Sequence, residues 1–234
     1  MSHRQIDMCL KHFYTHKITD IVVYQFGVLR GNSIKYLLDR EGHFGIRCNR
    51  IYGFDSFVGL PKEADDIPVF SDFGPGAFDL RQQFGLQQPK QIAAKITNEI
   101  NDNRVTLISG FFSDLKDKYV KKYGLLPADL VYLDADLYIS TIQALRFLYY
   151  NRLLKNGCLL AYDEFTVPGI NDNHGEQKAH FEFLEESNIK CHVSYEGSTG
   201  TTQKTFVIEN CPEPPKQPTI LNRLINKLKS YKIL

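Results

Sequence analysis

A doubly wound, mostly parallel α/β sheet is the fold that the sequence predicts, and three observations carry the prediction. Short apolar, β-branched runs alternate with longer helical patterns along the first three quarters of the chain. Strands separated by helix-length crossovers imply a parallel sheet covered on both faces. The last two strand-like runs instead alternate in polarity and flank a Gly/Ser/Thr turn, which reads as an antiparallel hairpin. Five parallel units plus that hairpin make a seven-stranded, Rossmann-like sheet with an antiparallel edge.

Each element has its own justification. Residues 1–20 read as an N-terminal helical segment. Ile21–Phe26 (IVVYQF) is a short buried-strand run that stops at Gly27. Asn32–Arg40 follows as a helix with Ile34, Leu37 and Leu38 on one face. Arg50–Phe54 is the second strand, and residues 59–80, rich in Pro, Gly and Asp, read as a long loop. Pro89–Ile100 suits a helix and Arg104–Ser109 the third strand. Ser113–Tyr123 suits another helix with Ser113 as its N-cap. Asp129–Leu133 is the fourth strand, Ser140–Tyr150 a helix that Gly157 breaks, and Cys158–Tyr162 the fifth strand. Glu176–Glu186 is the last helix of the sheet domain, and Lys190–Tyr195 with Lys204–Glu209 form the hairpin. The domain is expected to span 1–211. The remainder, 212–234, reads as a Pro-rich linker and a basic helix over Thr219–Leu234, with Ile220, Leu221, Leu224, Ile225, Leu228 and Tyr231 on one stripe. Such a helix suits packing on protein, its own domain or a second copy, better than an anionic membrane surface.

Composition narrows the class. The 234 residues suit one domain plus extras, and 43% hydrophobic with 24% charged residues is enough for a full core. A formal net charge of +1 lacks the basic excess of a nucleic-acid binder, so no nucleic-acid partner is expected. No run approaches the ~18 apolar residues of a membrane span. The opening MSHRQIDMCLKHFYTHK has charges and histidines where a signal peptide needs an apolar stretch. Five scattered cysteines without a C-x-x-C pair fit buried thiols in a reducing compartment, so a cytoplasmic protein is expected.

Open α/β sheets bind ligands at the carboxyl ends of their strands, and the unusual residue clusters fall there. Gly27 and Gly31 stand four apart between the first strand and its helix, where the chain turns tightly and can approach a ligand. They are equally readable as ordinary turn glycines, and no G-x-G-x-x-G or G-K-[ST] supports a pyrophosphate cradle. Asp55 follows the second strand, where such folds hydrogen-bond a ribose diol, although an Asp there also caps its own turn. Asp134 and Asp136 end the fourth strand, and Asp163 and Glu164 end the fifth, 29 residues after Asp134. A right-handed crossover makes these strands neighbours, so four carboxylates meet at one rim. Unpaired, they repel and raise one another's pKa unless a cation offsets them. All-oxygen ligands without Cys or His suit Mg²⁺ rather than zinc. The alternative is solvated acids pairing with Lys or Arg. His174 lies in the loop after Asp163, either as an acid/base group or as an ordinary surface histidine; the other histidines show no ligand spacing.

With these residues assembled, the chain resembles the macrocin O-methyltransferase family of class I methyltransferases. The matching stretches are FGVLRGNSI (Phe26–Ile34), YGFDSFVGLP (Tyr52–Pro61), ISGFFSDL (Ile108–Leu115), YLDADLYIST (Tyr132–Thr141), NGCLLAYDEF (Asn156–Phe165) and HGEQKAHFEF within Pro168–Phe183. The resemblance implies an enzyme dependent on S-adenosylmethionine and Mg²⁺ that methylates a hydroxyl of a sugar or glycosylated small molecule. It implies a cofactor site of Gly27, Gly31, Asp55, Ser56, Gly110, Phe111 and Asp134, metal ligands Asp134, Asp163 and Glu164, and Asp136 as general base. His174 is a second catalytic candidate. The chain departs from the family in having Gln25 where Glu is usual and Glu164 where several members have Asp. Two rival readings stay open: a metal-dependent glycosyltransferase with Asp134-Ala135-Asp136 as its D-x-D, and a methyltransferase fold that binds cofactor or glycan without turnover. A homo-oligomer is compatible with all of them.

Overall fold

The computed structural model describes residues 3–64, 67, 71–166, 174–196 and 202–215. Its elements are α1 (His3–Thr15), β1 (Asp20–Phe26), α2 (Asn32–Glu41), β2 (Arg47–Asp55), α3 (Arg81–Phe84), α4 (Pro89–Ile100), β3 (Val105–Ser109), α5 (Lys118–Tyr123), β4 (Leu130–Leu133), α6 (Tyr138–Tyr150), β5 (Leu159–Tyr162), α7 (Gly175–Ser187), β6 (Lys190–Glu196) and β7 (Lys204–Asn210). The strands form one seven-stranded sheet in the order β3-β2-β1-β4-β5-β7-β6. β1 to β5 run parallel, and β7 pairs antiparallel with both β5 and β6. The order reverses between β1 and β4, and a crevice opens at such a switch point.

The two-residue period of the strands divides the core into two layers. Tyr24, Phe26, Tyr52, Phe54, Val131, Leu133, Leu160 and Tyr162 face one side, packing with α6 and α7 residues such as Leu145, Leu148 and Phe183. Ile21, Val23, Ile51, Leu130, Tyr132, Leu159 and Ala161 face the other, against Ile6, Leu10 and Phe13 of α1, Ile34 and Leu37 of α2, and Ile92 and Ile96 of α4. Phe26 and Phe54 stack with centroids 4.8 Å apart at 11°, and Phe112 meets Phe26 edge-on at 5.2 Å. This aromatic layer lies under the carboxyl ends of β1 and β2, so the rim above it rests on a stiff base.

Two expectations change. The helix expected over Ser113–Tyr123 is a 3₁₀ turn at Phe112–Asp114 followed by the short α5. Ser113 lies inside that turn and caps nothing, because Phe111 is the extended residue at its start. The second strand begins three residues earlier than its apolar run, since Arg47 and Cys48 pair with Asp20 and Ile21 at the sheet's amino edge and the register shifts at Asn49. The two ends of the long loop pair with each other: Val58 bridges Asp79, Leu60 donates to Ala77 O at 2.9 Å, and Gly76 donates to Leu60 O at 2.9 Å. The cysteines are all free, with Cys9, Cys48 and Cys158 buried. No helix of the described residues is long and apolar enough to cross a membrane. The segment after β7 lies without regular structure through residue 215, held by the Cys211 N–H on Asn156 Oδ1 (2.7 Å) and by Arg152 on Glu213 (2.9 Å). The basic helix expected over Thr219–Leu234 lies outside the described residues.

Candidate active site

A cavity of about 300 Å³ opens at the switch point. Gly27 and Leu29 from the β1 turn, Asp55 and Ser56 from β2, Phe111 and Phe112 after β3, Asp134, Ala135 and Asp136 after β4, and Glu164 after β5 all line it. Leu60, Pro61, Phe73 and Phe78 of the long loop close the opposite wall. Phe73 and Phe78 lie 6.1 Å apart at 48°, with Phe78 49% exposed, so an apolar surface faces incoming ligand. Phe70 of the same loop lies outside the described residues.

Gly27 has φ +84°, and a Cβ there would stand 1.8 Å from the Asp134 carbonyl oxygen. Glycine is therefore required by the approach of the β1 turn to the β4 loop, before any ligand enters. Gln25, buried beneath that turn, donates Nε2–H to Gly27 O at 2.8 Å. A glutamate at this position has no N–H to give, so the departure from the family pattern stiffens the turn. Gly31, at φ +74°, faces Ile96 and Ile100 of α4 and is not among the cavity-lining residues. Gly110 donates its N–H to Asp55 O at 2.9 Å and is likewise not among the cavity-lining residues, whereas Phe111 is.

Asp55 caps its own turn and also borders the cavity. Oδ1 accepts from Phe57 N at 2.6 Å, closing the local turn, while Oδ2 accepts from Val28 N and Leu29 N, each at 2.8 Å. The carboxylate thus clasps the β1 turn and still borders the cavity with acceptor capacity left. Burial raises its pKa, and the three N–H groups pull it down. Ser56 donates to Gly59 O at 2.7 Å and accepts from Val58 N at 3.1 Å, fixing the start of the long loop.

The acidic rim is built on adjacent strands: β4 and β5 pair through Leu133 and Tyr162, and Asp163 N donates to Leu133 O at 3.0 Å. Carboxylate oxygens of Asp134, Asp136 and Glu164 lie within 4.8 Å of one another. Asp163 stands outside that trio. Its Oδ1 accepts from Gln203 Nε2 at 2.5 Å and its carbonyl from Thr202 Oγ1 at 2.5 Å, which ties it to the start of β7. Asp136 has φ +58°, and Leu137 N donates to Ala135 O at 2.6 Å across it, a γ-turn that holds the residue in a strained conformation. Burial is the main cause of the raised pKa values here, with neighbouring carboxylates adding to it. Asp134 is pushed to about 6, Asp136 to about 7 and Glu164 to about 9. Glu164 Oε2 is buried without a hydrogen-bond partner among the described residues. A buried orphan oxygen among acids that raise one another's pKa is the donor chemistry that a hard divalent cation satisfies.

His174 is buried as the N-cap residue of α7 and does not line the cavity, although the adjoining Gly175 would bring a Cβ within 3.4 Å of Asp136 O. Three residues that the sequence reading did not single out also serve the site. Ser140, buried in the first turn of α6, lines the cavity. Glu63 reaches from the long loop to the start of α6, its Oε1 accepting from Ile139 N at 3.0 Å. Glu176, in the first turn of α7, accepts backbone N–H groups from the rim. An acid in a helix's first turn or a loop Glu has a generic reading in sequence, and nothing in the spacing shows its distant partner.

Comparison with known proteins agrees with this geometry. The calicheamicin methyltransferase CalS11 superposes with a TM-score of 0.65 at 20% identity, over 88% of this chain and 77% of that one. The O-methyltransferase NovP gives 0.59 at 18% identity, over 89% and 79%. An O-methyltransferase from Bacillus cereus in complex with SAH gives 0.52 at 15% identity, over 90% and 82%. At these identities the likeness is one of fold. No curated protein matches the chain. The model of macrocin O-methyltransferase (TylF) matches residues 3–194, from α1 into β6 and across every cavity-lining residue, and the chain belongs to that family of S-adenosylmethionine-dependent O-methyltransferases.

Proposed function

We propose that the protein methylates a hydroxyl of a sugar or glycosylated small molecule with the help of Mg²⁺. The single observation that carries this reading is the convergence of Asp134, Asp136 and Glu164 on one cavity, with Glu164 Oε2 buried and unpartnered, beside the Gly27–Asp55 turn. One structural neighbour supports the sugar acceptor: a CalS11 structure is described as a TDP-rhamnose 3'-O-methyltransferase.

S-adenosylmethionine supplies a methyl group on a sulfonium. Gly27, Asp55, Ser56 and Phe111 would bind it along the β1–β2 side of the cavity. Asp134 and Glu164 would hold Mg²⁺, with Asp163 adjoining and Gln203 orienting it. A divalent cation held there would lower the pKa of the acceptor hydroxyl and fix the acceptor's orientation. Asp136, which borders the cavity, takes the hydroxyl proton on a carboxylate oxygen. Its strained turn keeps the carboxylate aimed at the cavity. Phe73, Phe78, Leu60 and Pro61 exclude water and offer an apolar wall to the acceptor's non-reacting face. The D-x-D glycosyltransferase reading of Asp134-Ala135-Asp136 gains nothing from the family match.

The test is methyl transfer from S-adenosylmethionine to a panel of nucleotide sugars, glycosides and catechols, followed by mass shift, with and without EDTA. Transfer that EDTA abolishes and Mg²⁺ restores supports the reading. Full transfer in excess EDTA refutes the metal, and transfer confined to non-glycosidic acceptors such as catechols refutes the sugar.

A further inference from the structure

Glu176 is a buried acid that the chemistry above does not use. It is 1% exposed in the first turn of α7. Its Oε1 accepts the Ala135 N–H at 3.1 Å, and its Oε2 accepts the Glu164 N–H at 3.0 Å. The first amide belongs to the residue between Asp134 and Asp136, the second to Glu164 itself. One side chain therefore joins the backbones of the two loops that carry the acidic trio. Regular pairing of β4 with β5 ends at Leu133 and Tyr162, just before these loops, so strand pairing alone does not fix their spacing. The close seat of Gly175 against Asp136 O, 3.4 Å from where a Cβ would stand, brings the start of α7 hard against the same loop.

We propose that Glu176 is a positioning residue that sets the distance between Asp134/Asp136 and Glu164, and thereby the size of the oxygen cage offered to a divalent cation. The proposal rests on the metal reading above. Mg²⁺ demands oxygens at about 2.0–2.1 Å in octahedral array, so neighbouring donors must close to about 3 Å. The present donors lie within 4.8 Å, and that short convergence succeeds only if their loops do not drift apart. A carboxyl side chain suits the bridge because each of its two oxygens can accept a backbone N–H, which an amide nitrogen cannot do. A glutamine of the same shape presents an NH₂ to one of the two N–H groups, so one loop loses its tether. An aspartate keeps both acceptors on a shorter arm.

The experiment uses the full chain and Mn²⁺ as the probe, with binding read by electron paramagnetic resonance and backbone tethering by hydrogen exchange. Glu176→Gln should weaken Mn²⁺ binding at least about tenfold, typical of losing an outer-shell contact, and should speed exchange in 134–137 and 163–166 while β1 stays protected. Glu176→Asp should recover part of the affinity, and it carries the test if the glutamine variant does not fold. Ala179→Gly, buried on the same helix, loosens α7 in general and should leave Mn²⁺ affinity within twofold. Unchanged affinity in Glu176→Gln overturns the proposal, as does an equal loss in Ala179→Gly. A wild-type chain that binds no Mn²⁺ at millimolar concentration overturns the metal reading and the positioning role together, and is distinguished by failing before any variant is made.

Discussion

Replacing Asp136 by Asn should stabilise the cation-free protein, and by an amount that grows with pH. Asp136 is pushed from the ordinary 3.8 to about 7, mainly by burial and then by the charges of Asp134 and Asp163. A carboxyl whose folded pKa is raised keeps its proton in the folded state after the unfolded chain has released it. Its stability contribution is therefore intact below about pH 3.8 and declines until pH passes about 7. At about 1.4 kcal/mol per pH unit, the full decline is about 4 kcal/mol, of which about 3 kcal/mol falls between pH 5 and pH 8. Asn has no proton to lose, so this decline is absent from Asp136→Asn. Asn also tolerates φ +58° better than most residues, a benefit that does not depend on pH. For a chain of this size, about 3 kcal/mol is roughly 6–12 °C in melting temperature. Thermal unfolding in EDTA at pH 5 and pH 8 reads the difference directly. The gap between Asp136→Asn and wild type should widen by that amount at pH 8, and 10 mM Mg²⁺ should narrow it by stabilising the wild-type carboxylates. A gap of the same size at both pH values would refute the burial and crowding assigned to Asp136. The same variant should slow methyl transfer by about 10²–10⁴-fold if Asp136 is the base.

Other perturbations test the walls of the site. Gly27→Ala forces a Cβ to 1.8 Å from the Asp134 carbonyl, so the β1 turn and the β4 loop must separate; S-adenosylmethionine binding, measured calorimetrically, should be lost or the chain should fail to fold. Glu63→Ala removes an acceptor from the start of α6 and should lower stability by about 1 kcal/mol, as loss of a helix cap does. It should also raise the KM for the acceptor, because the loop bearing Leu60 and Pro61 loses its anchor. Phe78→Ala should raise acceptor KM with little change in cofactor affinity, since Phe78 faces the cavity from the loop side.

The sequence by itself determined the sheet, its terminal hairpin and the rim on which every candidate group stands. Buried runs such as IVVYQF and DLVYL, separated by amphipathic helices, leave few ways to hide apolar surface, and the carboxyl end of each run is the next few residues along the chain. Motif residues close in sequence to a strand end, such as Gly27, Asp55 and Asp134, were legible for that reason. What depends on contacts across tens of residues was not. Only the packing shows that Gly27 is glycine because of the Asp134 carbonyl, and that Asp55 spends three of its acceptor sites on backbone N–H groups. The packing also draws Asp136 together with Asp134 and Glu164 while Gln203 ties Asp163 to β7. Glu63 and Glu176 act on partners 76 and 41 residues away. Hydrogen bonds of that reach leave no periodicity or spacing in a single sequence, because their geometry exists only after the sheet has brought β4, β5 and the starts of α6 and α7 to one edge.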